Sequence, residues 1–142
     1  MAEVIVVGVD DSPTARTAAQ TAGSLAAALG ATLHVVSAFG RDRGEVVGSG
    51  SDQVVVSEAN MAEAVARSVA KELRRDGLEV VPFAIQGAPA QALVRQAETH
   101  GARMIVVGSK GMHGLGRVLG SIATGVAHHA PCDVYVVKTD EV

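Results

Sequence analysis

Glycine, hydroxyl and carboxylate groups concentrate at two places along this chain. The first is Gly108-Ser109-Lys110-Gly111, which follows an apolar run at 104–107 and leads past Gly114 and Gly116 to Gly120-Ser121-Ile122, where a helical pattern opens. Glycine lets a backbone pass close to a bulky ligand, and the free N–H groups of a helix start attract anions, so this arrangement suits a polyphosphate. The Ser121 hydroxyl can cap that helix or bond a phosphate oxygen, and its type alone does not choose between them. The second place is Asp10-Asp11-Ser12, at the end of an apolar run at 4–9. A carboxylate there can accept hydrogen bonds from ribose hydroxyls or help hold a metal. Asp11 is expected to serve the helix start and Asp10 the ligand.

Spacing excludes two common phosphate-binding turns. The Gly-Lys-Ser/Thr ending of a P-loop is missing, and Gly114-Leu115-Gly116 is followed by Gly120 at the wrong interval for a dinucleotide fingerprint. Lys110 and Arg117 either neutralise phosphate charge or are simply solvated. His128 and His129 fall in a last helical turn, where they suit the helix dipole better than a metal. His34 reads as a packed or edge strand residue and His100 as a helix terminus.

The elements that must position these groups are legible from apolar periodicity. Continuous apolar runs at 4–9, 33–39, 80–85, 104–107 and 134–137 suit strands buried on both faces, as in a parallel sheet. Between the first two, Ala15, Ala18, Ala19, Ala22, Ala26 and Leu29 recur at helical spacing, with Ser12 as cap, Pro13 in the first turn and Gly30 as stop. A second helix over 57–75 turns Ala62, Val65, Ala66, Val69 and Leu73 to one face, with Gly77 as its stop. A third begins at Pro89, turning Ala90, Leu93, Val94 and Ala97 inward before Gly101, and a fourth runs over 120–129 to Pro131. The order β-α-β-α-β-α-β-α-β predicts an α/β fold, a single doubly wound five-stranded parallel sheet with helices on both faces, Rossmann-like in architecture. In such sheets ligands bind beyond the carboxyl ends of the strands where the winding reverses, and a reversal between the first and fourth strands would set Asp10 opposite Gly108. Residues 40–53, rich in glycine and serine, read as one long flexible surface loop.

Composition narrows the class. The 142 residues, expected to form one domain over 1–142, are 48% hydrophobic but only 2% aromatic, so the core must be Ala, Val, Leu and Ile on closely packed elements. A net charge of -3 offers no global attraction to nucleic acid or anionic membrane. The lone Cys132 cannot form an internal disulfide and is expected to be a buried small hydrophobe. No secretory pattern and no apolar run of about 20 residues is seen, so a cytoplasmic location without a membrane span is expected.

Taken together, Val6-Val7-Gly8-Val9-Asp10-Asp11-Ser12, Gly87-Ala88-Pro89, Val106-Val107-Gly108-Ser109-Lys110-Gly111 with Gly120-Ser121, and His128-His129-Ala130-Pro131-Cys132-Asp133-Val134 resemble the universal stress protein family from end to end. The glycine pattern is similar to that of the family's ATP-binding class, although eight residues separate Gly111 from Gly120 where that class usually has nine. The resemblance implies ATP, with Mg2+, or cyclic AMP as ligand. It implies that Asp10 and Gly108 contact ribose, that Ala38 meets adenine through its backbone, and that Gly111, Gly120, Ser121 and Ile122 hold phosphates mainly with main-chain N–H groups. It also implies a homodimer through the last strand, residues 132–138 with Cys132 and Lys138 included, an apolar edge that pairing would satisfy.

An enzyme needs a base or nucleophile beside the phosphates, and none is legible. Residues 108–121 contain no Asp or Glu, so hydrolysis is expected to be very slow or absent. A phospho-receiver is disfavoured because the third strand ends in Ile85-Gln86 without an acceptor Asp. The competing class is a homodimeric interaction module that binds no nucleotide and whose glycine turn is purely structural.

Overall fold

Valine, isoleucine and leucine at successive positions make strands that need cover on both faces, and the fold supplies it. The computed structural model describes residues 2–40, 45–47, 54–110 and 119–139. Strand β1 (Val4–Gly8) leads into helix α1 (Pro13–Leu29) and strand β2 (Thr32–Phe39). A short antiparallel pair, β3 (Glu45–Val47) and β4 (Val54–Val56), precedes helix α2 (Glu58–Leu73) and strand β5 (Val80–Gln86). Then come α3 (Pro89–His100), β6 (Met104–Gly108), α4 (Ser121–His129) and β7 (Asp133–Val137). The five long strands form one parallel sheet in the order β5-β2-β1-β6-β7. The expected doubly wound α/β fold is therefore observed.

Alternation within each strand feeds two cores. Ile5, Val7, Leu33, Val35 and Val106 face α1 and α2, where Ala18, Ala19, Ala22 and Ala26 let the first helix lie close against the sheet. Val6, Val36, Ile105 and Val107 face α3 and α4, where Leu93, Ala97, Ala123 and Val126 complete the second layer. With almost no aromatic bulk, tight packing of small side chains is how this chain buries its apolar surface.

The helix starts follow local chemistry. The Ser12 Oγ accepts from Ala15 N–H and the Ser57 Oγ from Asn60 N–H, while Pro13 and Pro89 occupy first-turn positions that need no donor. Helices α1 and α3 end at Gly30 and Gly101, both left-handed as expected of C-terminal caps. Four local expectations are corrected. Helix α2 stops at Leu73 with Arg74 as cap, and Gly77 instead serves the turn closed by the Arg75–Leu78 bridge. Leu29 is exposed, although Ala26 in the same last turn of α1 is fully buried. On α3 the buried stripe is Ala92, Leu93, Gln96 and Ala97, while Ala90 and Val94 are only half-buried. Finally, the segment read as an unbroken loop over 40–53 contributes β3, paired in register with β4.

The two sheet edges differ. Gly87 N–H donates to Phe39 O, so by alternation the N–H and C=O groups of residues 80, 82, 84 and 86 point away from β2. Position 82 is proline and has no donor to present. The outward carbonyl of Val80 accepts from the Arg74 guanidinium at 3.3 and 3.4 Å, and that of Gln86 from Arg95 at 3.3 Å. At the other edge, Val137 O accepts from Ser109 N–H, so the outward groups of β7 belong to Val134 and Val136. Tyr135 and Val136 are exposed there.

Candidate functional site

From β1 the chain winds outward through β2 to β5, then returns to lay β6 against the other side of β1. That reversal leaves the carboxyl ends of β1 and β6 side by side without a crossover closing over them, the place where open α/β sheets take ligands. A cavity of about 220 Å3 opens there. Its apolar floor is Val36, Ala38, Leu93 and Val107, and its polar rim includes Asp10, Ser12, Lys110, Ser121 and Thr139.

Of the residues expected to form the site, Asp10, Ala38, Gly108, Gly120, Ser121 and Ile122 all line this one cavity. Gly111 lies outside the described residues, as do His113, Gly114, Gly116 and Arg117. Asp10 lines the cavity as expected, but it also takes the helix-start role expected of Asp11. Asp10 Oδ1 accepts from Ser12 N–H at 2.8 Å and so shapes the approach to α1, while Asp11 reaches out to Arg16 at 3.7 Å and is largely solvated. Asp10 keeps a second oxygen with which to accept from a ligand.

Two glycines are required by close approach. A Cβ on Gly108 would lie 2.8 Å from Thr139 Oγ1, and one on Gly120 would fall onto the carbonyl oxygen of Lys110. The second contact holds the turn after β6 against the start of α4. Gly120 is the N-cap of that helix and supplies no side-chain bond, so the first N–H groups of α4, from Ser121 onward, have no side-chain cap. Ser121 is thus inside the helix and does not cap it. Helix α3 likewise starts at Ala88 without a side-chain cap, and its Pro89 also lines the cavity. The starts of α1, α3 and α4 converge on one space, adding their dipoles there.

Sequence reasoning missed Thr139, which the fold brings back from beyond β7 to touch the Gly108–Lys110 turn. His34 is packed, one of the two readings given to it, but its buried partner Gln96 on α3 was missed. His34 is 6% exposed, its Nδ1 lies 3.1 Å from Gln96 Nε2, and its ring packs 4.7 Å from Phe83 and 4.8 Å from His100. Burial first, then the neighbouring His100, lowers its pKa from 6.5 to about 4, against a weaker raising effect of Glu79. Cys132 is half-buried, and burial followed by the Asp133 carboxylate pushes its thiol pKa up, which disfavours the thiolate. Among the described residues, no cluster of three or more His, Cys, Asp or Glu side chains is placed to hold a metal, and no helix is long and apolar enough to cross a membrane.

A doubly wound α/β sheet with a polar cleft at its winding reversal is the class of protein these features define. The sequence pattern of the universal stress protein family matches residues 1–138, and the chain belongs to that family. It is 31% identical to universal stress protein A homolog 1 of Coxiella burnetii, with 96% of each chain covered. A Thermus aquaticus universal stress protein is 32% identical over 97% of this chain and 100% of that one. Among solved structures, a universal stress protein in complex with cAMP is similar at 28% identity with a TM-score of 0.69, covering 96% of this chain and 97% of that one. A universal stress protein from Archaeoglobus fulgidus shares the fold with a TM-score of 0.76 at 23% identity, over 97% of this chain and 100% of that one.

Proposed function

We propose that this protein is a cytoplasmic adenine-nucleotide-binding module, with ATP as its ligand, that carries a signal and does not turn the nucleotide over rapidly. The observation that carries the reading is the uncapped start of α4, facing Asp10 across the cavity at the winding reversal. N–H groups at one wall suit phosphate oxygens, and a carboxylate at the other suits ribose hydroxyls. The apolar floor of Val36, Ala38 and Leu93 suits a flat base between them. Asp10 is the one carboxylate on the described part of the lining, so Mg2+ would arrive held mainly by phosphates and water. Donors that grip ground state and transition state alike give little acceleration, so phosphate release at saturating ATP is expected to be far slower than about 1 per second.

Calorimetry with ATP tests the reading. Asp10→Asn keeps an oxygen for Ser12 N–H but turns the ribose-facing acceptor into a donor, and is expected to weaken binding about tenfold. A wild type that takes up no ATP would leave an interaction module with a structural glycine turn. Cyclic AMP is the second ligand in contention, favoured by the cAMP complex of the 28%-identical relative, and direct competition ranks the two.

The reading includes a homodimer through β7. Only Val134 and Val136 offer outward backbone groups on that strand, so Val136→Pro removes an outward donor without touching the ladder to β6. Sedimentation is expected to show the mass halved; an unchanged mass in a folded variant would move the interface elsewhere.

A further inference from the structure

Lys110 stands between two contacts that together set the width of the site. Its N–H donates to Thr139 Oγ1 at 3.2 Å, and its carbonyl oxygen lies where a Cβ on Gly120 would have to go. Thr139 itself is fixed: it is buried, its own N–H donates to Ser109 Oγ at 2.9 Å, and Ser109 N–H donates to Val137 O at 2.7 Å. Gly108 completes the seat, since any side chain there would strike Thr139 Oγ1. The threonine hydroxyl therefore acts on the first turn of α4 through one residue, Lys110, whose N–H it holds and whose carbonyl oxygen abuts Gly120.

We infer that Thr139 is a positioning residue of the nucleotide site: its hydroxyl anchors the Lys110 N–H, which fixes the residue whose carbonyl abuts Gly120 and so sets the gap in which the phosphates lie. This rests on the nucleotide reading above. Thr139 need not touch the ligand. Without its acceptor the Ser109–Lys110 peptide loses its anchor, and the Lys110 carbonyl that follows it loses its fixed distance from the N–H groups of Ser121 and Ile122.

Valine has the shape of threonine without the oxygen, and serine has the oxygen without the methyl, so the pair separates positioning from packing. Thr139→Val is expected to weaken ATP binding about five- to tenfold, the effect of one lost hydrogen bond, while adenosine binding stays within about twofold. Thr139→Ser is expected to bind ATP like the wild type. Amide exchange in the ligand-free protein should be at least about tenfold faster at Lys110 in the valine variant and unchanged in the serine variant. Equal ATP affinity in wild type and Thr139→Val, an equal loss for ATP and adenosine, or failure of serine to restore binding overturns the inference while leaving nucleotide binding intact. A wild type that binds no ATP overturns the functional reading and this inference with it.

Discussion

Gly120→Val is expected to weaken ATP binding by about ten- to a hundredfold, while leaving the sheet folded. The reason is steric and lies within the protein. Gly120 has an ordinary φ of -64°, which any residue adopts, but its Cα faces the Lys110 carbonyl so closely that a β-carbon would occupy the oxygen's place. The side chain must drive the turn after β6 away from α4 or unwind the first turn of that helix, and either change scatters the N–H groups. Forced overpacking costs about 1–3 kcal/mol, and each 1.4 kcal/mol is tenfold in affinity. Calorimetry beside circular dichroism checks both halves. A folded Gly120→Val protein with ATP affinity near that of the wild type would mean that the Lys110 peptide moves aside freely and the close approach has no part in binding.

Acid should weaken the fold through His34, by about 3 kcal/mol between neutral pH and pH 4. In the native state this imidazole has its pKa lowered from 6.5 to about 4, so the unfolded chain binds more protons between those values. Its contribution is therefore complete above pH 6.5 and is lost as pH falls through 4. Protonation would put a hydrogen on Nδ1 facing the Gln96 amide nitrogen, itself a donor, and a charge beside His100. The difference in urea midpoint between wild type and His34→Gln isolates this group from the carboxylates that titrate nearby. Parallel profiles for the two proteins from pH 7 to pH 4 would show that His34 titrates normally.

What the sequence disclosed and what it withheld divide along chain distance. The parallel sheet was legible because buried strands must be apolar at every position, and α1 because alanines at helical spacing end in Gly30. The meeting of Asp10 with Gly108 followed from topology alone, once a winding reversal was placed between the first and fourth long strands. His34 and Gln96, by contrast, are 62 residues apart, and Thr139 reaches Lys110 across 29. A threonine after a strand or a glutamine on a helix carries no local mark of such a partner. The pairing of β3 with β4 was hidden by the glycines and serines around it, which read as loop whether or not a hairpin forms. Asp10 and Asp11 are adjacent acids at a helix start, and only backbone geometry decides which one bonds Ser12 N–H.

The arginine-capped, proline-bearing edge at β5 bears on how far self-association can run. A sheet with two open edges can add neighbours at both ends, and the contact need never close, which is how soluble proteins grow into fibres. Here an incoming strand at β5 would find the carbonyls of Val80 and Gln86 already taken by Arg74 and Arg95, and no hydrogen on the nitrogen of Pro82. Ala84 still presents both its backbone groups there, so β5 is a weakened edge and β7 the more open one. When two β7 edges meet across a two-fold axis, each uses up the other. Were the proposed β7 dimer to form, growth through the sheet beyond two molecules would have to use the weakened β5 edge, which disfavours it.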